Sequence, residues 1–390
     1  MLKILISPGA FKHSLTAQQA SQAIKEGLTR SGLLAETVSI PIADGGNGTL
    51  DVFLATSPNS MRVTITVRNP LGQPVKASYG LLQDGKVAVI EMAQASGIEL
   101  IPHAERNPLK ASSYGTGQLM LDALNRGAKH FIIGLGGSAT VDAGLGCLQA
   151  LGWVALDHDG RKLVQQGGGV LNRVASLDRA GVDARWAACT ITLVVDVDNP
   201  PYGENGAARV FGGQKGATPA QIEVLDEGIQ SFLRILSHSA QRDVTALAGG
   251  GSAGALSAGL VGAFNAQIVR GIDYILDFLN FEAYLSECQL LITGEGHLDS
   301  QTLEGKGPLG VAQRARARGL MTVALVGGIS VDDAVLREMG FDVVMPIVSQ
   351  PMELNDAILN AHVLLERAAL RLGYLLRSIP SLGHGKRQEH

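Results

Sequence analysis

The amino-acid sequence predicts an α/β protein with two domains, one of them a doubly wound parallel-sheet domain. Apolar runs of strand length alternate with helical patterns at both ends of the chain, whereas a hairpin-bearing stretch lies between them. The length of 390 residues also exceeds the size at which a single core usually stops growing. We therefore predict a Rossmann-like domain from residues 1–60 and 285–390, split by an inserted α/β domain of residues 61–284, with glycine-rich loops facing a cleft between the two.

Composition and charge exclude several classes of protein. Hydrophobic residues make up 46% and charged residues 17% of the chain, which is typical of a globular protein. The net charge of −4 gives no general attraction to nucleic acid or to an anionic membrane, and no apolar run approaches the ~18 residues of a membrane span. The three cysteines stand far apart, as buried thiols do in a reducing compartment. We expect a cytoplasmic protein without nucleic-acid or membrane partners, and its oligomeric state is left open.

The first elements place two candidate residues in loops that follow strands. An apolar run at Leu2–Ile6 predicts the first strand, and Thr16 with Gln19 predicts a capping box for the helix that begins at residue 17. Lys12 lies on the loop between them, at the strand end where α/β sheets place ligands, although a solvated loop lysine is an equal alternative. Asp44 follows the next strand among glycines and is a candidate ligand for a metal or a substrate.

Other elements carry no candidate residue but set the domain pattern. The middle of the chain begins as a hairpin-bearing sheet, with Asp84-Gly85 as the turn between two strands. Its first strands are predicted at residues 63–67, 75–82 and 86–91. The carboxyl-terminal part continues as βα units, which are a strand at 322–326, a helix at 331–339, a strand at 343–346 and a helix at 354–376.

The first glycine loop, residues 134–140, lies between a predicted strand at 131–133 and helical spacing that begins at residue 141. Free N–H groups at such a junction point at one spot, at the positive end of the helix dipole, and therefore suit a phosphate. The predicted phosphate contacts are Gly136, Gly137, Ser138 and Thr140. Asp142, in the first predicted helical turn, is a further candidate for holding a metal ion bound to that phosphate.

The second glycine loop, residues 249–254, also precedes a helical pattern. Its predicted phosphate contacts are Gly250, Gly251 and Ser252. Both glycine loops match the G-x-G-x-x-G/A fingerprint of dinucleotide-binding proteins, with Asp157 at about the expected distance beyond the first. A dinucleotide-dependent oxidoreductase is therefore an alternative to an enzyme that transfers phosphate.

Two charged candidates lie in the predicted inserted domain. A buried strand at 191–195 ends in Asp196, a position that suits a general base or a metal ligand. An Asp-Asn-Pro turn explains Asp198 but explains Asp196 less easily. Lys215 is the one lysine among the glycines of residues 210–216, and we predict that it faces phosphate.

The last candidates follow a strand predicted at 289–293. Glu295 and Asp299 flank one loop after this strand and are candidate magnesium ligands. His297 between them is either a base or, more simply, a surface histidine. Lys306 stands at the start of the next predicted helix, where its charge would meet a phosphate.

Several of these stretches, taken together, resemble the type I glycerate kinases. They are P-I-A-D-G-G-N-G-T (41–49), N-P-L-K-A-S-S-Y-G-T-G (107–117), G-L-G-G-S-A-T-V-D (134–142), D-V-D-N-P (196–200), F-G-G-Q-K-G-A (211–217), I-T-G-E-G-H-L-D-S-Q-T (292–302) and G-K-G-P-L-G-V-A (305–312). The resemblance implies transfer of phosphate from ATP, with Mg²⁺, to a hydroxyl of glycerate, normally the 2-hydroxyl, in the catabolism of glycerate and glyoxylate or of sugar acids. A kinase of a related small hydroxy acid is an alternative.

For this chemistry the charged candidates take specific roles, because phosphoryl transfer needs charge neutralisation and alignment. The two glycine loops would hold the triphosphate. Lys215 and Lys306, with Lys12, would neutralise the transferring oxygens and the substrate carboxylate, and Asp196 would accept the hydroxyl proton. The predicted magnesium ligands are Glu295, Asp299 and Asp44, although the roles of base and metal ligand are exchangeable among these carboxylates.

The chain also departs from the family pattern. Gly9 and Asn47 stand where the family usually has acidic residues, Gly213 replaces a usual proline, and Ala143 replaces a usual glycine. The loss of two carboxylates from neighbouring loops bears on how metal and substrate are placed. It is also the observation that favours a related hydroxy acid over glycerate.

Overall fold

The computed structural model describes residues 1–43, 45–299 and 307–379. The chain forms two compact units, a first unit of residues 1–44 with 272–390 and a second unit of residues 45–271. The strands are β1 (Leu2–Ile6), β2 (Ala35–Ser39), β3 (Met61–Arg68), β4 (Pro74–Leu82), β5 (Val87–Glu91), β6 (His130–Gly134), β7 (Val154–Leu156), β8 (Ser176–Asp178), β9 (Thr190–Val195), β10 (Gln267–Arg270), β11 (Leu290–Leu298), β12 (Met321–Ile329) and β13 (Val343–Pro346). The α-helices are α1 (Ala17–Arg30), α2 (Thr49–Thr56), α3 (Ala93–Ser96), α4 (Tyr114–Asn125), α5 (Leu145–Ala150), α6 (Ala207–Phe211), α7 (Pro219–Ala240), α8 (Ser252–Phe264), α9 (Gly271–Phe278), α10 (Phe281–Glu287), α11 (Gly307–Ala317), α12 (Asp333–Glu338), α13 (Leu354–Leu359) and α14 (Ala361–Arg377).

The first unit is a doubly wound sheet with helices on both faces. Its strands are all parallel and lie in the order β13, β12, β11, β1, β2. Successive side chains of β12 point to opposite faces, so that Val323 and Leu325 pack with α1 and α14, whereas Ala324 and Val326 pack with α11 and α12. The strand order reverses between β1 and β11, and open α/β sheets bind ligands at such a switch point.

Helix α1 shows how local sequence and packing agree in this unit. The predicted capping box is present, because Thr16 accepts the N–H of Gln19 and the Gln19 side chain accepts the N–H of Thr16. The buried apolar residues of the helix recur at helical spacing and include Ala20, Ile24 and Leu28. Gly27 lies against the α14 backbone at Glu366, and a side chain there would collide with that carbonyl.

The second unit contains a mixed six-stranded sheet and a two-stranded β7–β8 ribbon. The six strands lie in the order β10, β9, β6, β5, β4, β3. The first four are parallel to one another, and β4 pairs antiparallel with both β5 and β3. The turn predicted at Asp84-Gly85 joins β4 to β5, and both residues have positive φ. Because β5, β6 and β9 run parallel and in register, their carboxyl ends lie side by side, with Gly134 between Glu91 and Val194. The predicted α/β class with two sheet-based domains is confirmed.

Two element boundaries differ from the sequence prediction. The helix predicted from residue 141 begins at Leu145, because Ala143 and Gly144 have φ values of 48° and 78°, which lie in the left-handed region. The strand predicted to end at residue 293 continues to Leu298, because it pairs in parallel with β12 as far as Ile329. Glu295 therefore lies on a strand and not in a loop.

The three cysteines of the chain are free thiols. Cys147 and Cys288 are buried, Cys189 is partly buried, and all three are free. None of the described helices is both long and apolar enough to cross a bilayer. The longest of them, α7, buries only one stripe of its surface in the core of the second unit.

Candidate phosphate-transfer site

The two glycine loops meet at the carboxyl ends of β6 and β9 in the second unit. The N–H of Ala143, just after the first glycine loop, donates to the carbonyl of Gly254 at 2.9 Å. The N–H of Gly251 donates to the carbonyl of Asn199 at 2.9 Å, in the segment that follows β9. The structure therefore brings together three segments that the sequence analysis singled out separately.

Two glycines are required where these segments approach other backbone. A Cβ at Gly136 would lie 2.6 Å from the Cα of Gly46, and a Cβ at Gly254 would collide with the carbonyl oxygen of Thr140. Gly254 also has a φ of +67°, which other residues adopt only with strain. These glycines serve the packing of the loops whether or not a ligand is bound.

The backbone N–H groups of the two loops differ in what they contact. Those of Gly250, Gly251 and Ser252 donate to the carbonyls of Leu247, Asn199 and Gly249 at 2.9–3.1 Å. The second glycine loop therefore does not present these three amides to a phosphate, contrary to the sequence-based expectation. The N–H groups of Gly137, Ser138 and Thr140, by contrast, have no acceptor among the described residues. The first glycine loop therefore has three open amides, which are N–H groups without an acceptor among the described residues.

Lys215 is the cation held against the first glycine loop. It ends the short 3-10 helix Gly213–Lys215 and is only 4% exposed. Its ammonium group donates to the Ser138 hydroxyl and to the Thr140 carbonyl, both at 2.8 Å. Burial lowers the pKa of Lys215 to about 7, and the charge of Asp142 opposes this shift. Because both acceptors are uncharged, an anion beside Lys215 would supply the counter-charge that its hydrogen bonds lack.

Asp142 does not fit the metal-binding role considered for it. The side chain is fully buried, and its Oδ2 accepts the N–H and the hydroxyl of Ser113 at 2.8 and 2.9 Å and the N–H of Gly146 at 3.3 Å. Its Oδ1 accepts the N–H of Gly144 at 3.2 Å. Burial raises the pKa of Asp142, and these hydrogen bonds lower it. Since Ser113 precedes α4 and Gly144 precedes α5, the carboxylate caps the start of both helices and acts as a structural group.

Replacement of Asp142 by alanine should lower the free energy of unfolding by about 3 kcal/mol, because it leaves several buried donors without an acceptor. Urea unfolding followed by circular dichroism measures this loss. Asp243→Ala is the matched control, since Asp243 is an exposed aspartate that accepts the N–H of Thr245 at 2.9 Å, and its loss should change stability much less than that of Asp142. A stable Asp142→Ala protein without activity would instead favour contact with a ligand.

Asp196 lies directly after β9, and its side chain is exposed. Both of its sequence neighbours approach the position that a Cβ of Gly249 would take, at 3.4 and 3.5 Å, so that Asp196 lies beside the second glycine loop. Asp198 instead pairs with Arg270 at 2.9 Å, and both side chains of this pair are well exposed. Of the two acids, Asp196 is therefore the one that lies beside a candidate phosphate loop.

In the first unit, Lys12 and Glu295 lie at the switch point between β1 and β11. The N–H of Gly9 donates to the carbonyl of Gly294 at 2.8 Å. The backbone nitrogen of Lys12 lies 3.3 Å from the position that a Cβ of Gly296 would take. The Lys12 side chain is exposed, and that of Glu295 is partly buried. The structure thus brings the Lys12 loop to the end of the strand that carries Glu295.

The predicted magnesium ligands are only partly described. Asp44 lies outside the described residues, as does Lys306. Asp299 directly follows β11, four residues beyond Glu295, which corresponds to about 13 Å of extended backbone. Among residues 1–43, 45–299 and 307–379, no three His, Cys, Asp or Glu side chains are placed to hold a metal ion. The set of Glu295, Asp299 and Asp44 stays a prediction.

A family model agrees with the stretches that carry the resemblance. The model of the glycerate kinase family matches residues 4–377, which is nearly the whole chain. The chain belongs to the glycerate kinase family. Membership makes it an enzyme, a kinase that transfers phosphate to an alcohol, and the family implies ATP as the phosphate donor.

Individual family members are similar over almost their full length. The chain is 42% identical to a glycerate kinase of Halalkalibacterium halodurans, covering 95% of this chain and 97% of the relative. It is 40% identical to the glycerate 2-kinase of Escherichia coli K12, covering 96% and 98%. A crystal structure of a protein designated glycerate kinase 2 from Salmonella typhimurium LT2 has a TM-score of 0.86 and 40% identity, and covers 97% of this chain and 98% of that one.

Family membership also decides between the two enzyme classes that the sequence left open. A dinucleotide site of the fingerprint type requires a strand, a glycine turn and a helix in direct succession. In this family member, the second glycine loop follows a long loop after α7 and no strand, and α5 starts six residues after the first fingerprint match ends at Ala139. The oxidoreductase alternative is therefore wrong, and the resemblance to the type I glycerate kinases is confirmed.

Sequence analysis missed a buried acid in this family member's second unit, Glu91. Its carboxylate accepts the N–H of Leu50 at 2.8 Å and the side-chain amide of Gln94 at 3.2 Å, and burial raises its pKa. It thereby caps the start of α2 and fixes the loop before it, which reaches Gly136. An acid at the end of a buried strand is the same signal that singled out Asp196.

Proposed function

We propose that the protein transfers the γ-phosphoryl group of ATP to the 2-hydroxyl of glycerate, giving 2-phosphoglycerate and ADP. The Escherichia coli relative, named glycerate 2-kinase, supports this acceptor and this position. The observation that carries the proposal is the buried Lys215 ammonium, hydrogen-bonded to the first glycine loop, in which the N–H groups of Gly137, Ser138 and Thr140 have no acceptor among the described residues. This arrangement is a local phosphate site in a chain whose net charge is negative.

The second unit would hold the phosphates and the base. We assign the triphosphate to the open amides of the first glycine loop and to Ser252, whose buried hydroxyl has no partner among the described residues. Gly250 and Gly251, which were predicted as phosphate contacts, would instead shape the second loop, because their N–H groups donate to the carbonyls of Leu247 and Asn199. Lys215 neutralises the transferring oxygens, and Asp196 accepts the proton of the attacking hydroxyl.

The first unit would supply further charges. We assign Lys12 and Lys306 to the phosphate oxygens or the substrate carboxylate, and we assign Mg²⁺ to Glu295, Asp299 and Asp44. The donor chemistry fits, because Mg²⁺ takes carboxylate oxygens and needs only one or two from the protein when phosphates supply others. When bound, the ion neutralises negative charge on the phosphates of ATP.

An ADP-release assay with ATP and Mg²⁺ tests this function across several hydroxy acids. We expect turnover with glycerate, and a phosphorus NMR spectrum in which the product phosphate is bound at carbon 2. Hydroxypyruvate, which lacks the 2-hydroxyl, is the matched negative control, and tartronate and larger sugar acids complete the set. Release of ADP with hydroxypyruvate at the glycerate rate would move the reaction to the 3-hydroxyl.

The second candidate function is phosphorylation of a related small hydroxy acid. The observation that favours it is the presence of Gly9 and Asn47 where the family usually carries acids. The Asn47 side-chain oxygen lies 3.3 Å from the position that a Cβ of Gly137 would take, so that the amide replaces a carboxylate beside the first glycine loop. A higher kcat/KM for tartronate or a sugar acid than for glycerate would support this candidate.

A further inference from the structure

Arg106 of the second unit lies beside the segment that carries Lys215. Its backbone and Cβ pack against Gly216, where a Cβ would lie 2.9 Å from that of Arg106. Its guanidinium donates from Nη1 to the carbonyl of Gln214 at 3.5 Å. The segment of residues 214–216 therefore carries one cationic side chain, Lys215, and contacts a second, Arg106.

The Arg106 guanidinium is incompletely satisfied. Its Nε is buried and has no hydrogen-bond partner among the described residues, and it is the one arginine atom in the described chain with both properties. The side chain forms no ion pair with a described residue, and its single hydrogen bond is long. A guanidinium carries five N–H donors, and burying such a group without a counter-charge is costly.

Other arginines of the second unit show how the chain satisfies this group elsewhere. Arg209 contacts both carboxylate oxygens of Glu223, and Arg185 contacts the carboxylate of Asp183 through two of its nitrogens. Both ion pairs are exposed, and each arginine has its carboxylate partner within hydrogen-bond distance. Arg106 differs from them because its partner is missing while part of its guanidinium is buried.

The backbone that carries Arg106 is well fixed. Asn107 closes the turn that follows, since its side-chain oxygen accepts the N–H of Leu109 at 3.0 Å and its carbonyl accepts the N–H of Ala111 at 2.9 Å. The carbonyl of Pro108 accepts the N–H of Gly168 at 3.1 Å. The backbone that follows Arg106 is therefore held in place, which limits the positions that the guanidinium can reach.

We propose that Arg106 binds an oxyanion of the reaction, either the carboxylate of the hydroxy acid or a phosphate group of the nucleotide. The planar guanidinium matches both groups, because it can donate two parallel hydrogen bonds to a carboxylate or to a phosphate. Lys215 faces the first glycine loop, so that Lys215 and the neighbouring Arg106 can serve two anionic groups. The inference rests on the proposed function only for the identity of those anions.

Isothermal titration calorimetry of the full chain with ATP, and separately with glycerate, tests the role of Arg106 without turnover. For Arg106→Gln we expect Kd for one of the two ligands to rise about 10- to 100-fold. Arg106→Lys keeps the charge but loses the fork, and it should fall between wild type and Arg106→Gln. A rise for glycerate alone assigns the carboxylate, whereas a rise for ATP alone assigns the phosphate.

The matched control is Arg242→Gln, because Arg242 is an exposed arginine of the same unit. The inference would be overturned if both Kd values of Arg106→Gln stayed within twofold of wild type. It would also be overturned if Arg242→Gln changed the Kd values as much as Arg106→Gln does. Arg106→Lys decides the question in the same way if Arg106→Gln is poorly folded by circular dichroism.

The proposed function can fail separately from this inference. A wild-type protein that releases no ADP with glycerate, but binds ATP or inorganic pyrophosphate in an Arg106-dependent way, would overturn the function and keep the oxyanion site. If the wild-type protein phosphorylates glycerate but both Arg106 variants bind ATP and glycerate with unchanged affinity, the proposed function stands and the oxyanion site is overturned. Absence of binding by ATP, glycerate and pyrophosphate alike would overturn the inference as well.

Discussion

Replacement of Lys215 by methionine is expected to lower kcat/KM for ATP about 10²- to 10³-fold, the usual cost of removing one preorganised donor from a developing charge. Methionine keeps much of the length of lysine but has neither its charge nor its N–H groups. The buried ammonium contacts Ser138 and Thr140 of the first glycine loop, so its loss removes the cation next to the open amides. Steady-state kinetics with ATP varied at saturating glycerate measure the effect.

The stability of the same variant separates a functional role from a structural one. Burial lowers the pKa of Lys215 from 10.5 to about 7. Between these values the unfolded chain holds a proton that the folded chain has lost, so the free energy of unfolding rises with pH through this window and is lowest below pH 7. Methionine removes this penalty. The unfolding temperature of Lys215→Met at pH 7 should therefore equal or exceed that of the wild type.

Exposed Lys129 of the same unit provides the control, and Lys129→Met should leave both activity and unfolding temperature unchanged. A Lys215→Met protein that loses stability along with activity would show that Lys215 is a packing residue. Wild-type activity in Lys215→Met would remove Lys215 from phosphate binding altogether.

The pH dependence of catalysis gives a second readout of Lys215. Only the protonated amine neutralises phosphate, so kcat/KM for ATP should fall as pH rises through the pKa of about 7 in the free enzyme. A bound phosphate stabilises the charged form, so kcat should begin to fall at a higher pH than kcat/KM. Lys215→Arg stays charged, and its kcat/KM profile should lack this fall between pH 7 and 9.

Much of the fold could be predicted because its signals are local. The capping box of Thr16 and Gln19 and the turn at Asp84-Gly85 depend on residues within four positions of each other. The first glycine loop was predicted for a similar reason, since an apolar strand, a glycine cluster and a helical pattern follow each other directly in the sequence. The class of fold and the order of most strands and helices follow from such patterns.

The use of individual polar groups could not be predicted, because the partners arrive from distant parts of the chain. The amide of Gly251 is occupied by Asn199, and the carboxylate of Asp142 is occupied by Ser113, both set by tertiary contacts. No periodicity shows which N–H groups a fold leaves open. The extra length of β11 likewise depends on its pairing with β12, which lies beyond α11 in the sequence.

In the sequence, a charged residue is distinguished only by the residues next to it. The glycines around Lys215 single it out as a candidate, whereas nothing next to Arg106 does so. Arg106 follows a polar run and precedes a turn, so nothing local distinguishes it from a surface arginine. Only the folded structure shows that its Nε is buried without a partner among the described residues and that its backbone contacts Gly216. The proximity of Arg106 to the segment of Lys215 is therefore a property of the folded chain alone.

Replacement of Asp196 by asparagine is expected to lower kcat by roughly 10²- to 10⁴-fold, the usual contribution of a general base. Asparagine has nearly the same shape as aspartate but does not accept a proton from the attacking hydroxyl. Asp196 is exposed directly after β9 and lies beside the second glycine loop, so the change should leave the core intact. Single-turnover kinetics with ATP and glycerate measure the chemical step itself, and the KM values should change little.

Asp198→Asn is the control that distinguishes loss of the base from a general disturbance of the segment after β9. The two aspartates lie on the same segment, but Asp198 pairs with Arg270 on an exposed surface, where such pairs contribute at most about 1 kcal/mol. Loss of that pair should leave kcat within about twofold, because it touches no part of the predicted reaction. Equal losses in both variants would mean that the segment is sensitive as a whole. Turnover near the wild-type value in Asp196→Asn would mean that another group accepts the proton. Glu295 would then be the next acid to replace, because the sequence leaves the roles of base and metal ligand exchangeable between these carboxylates.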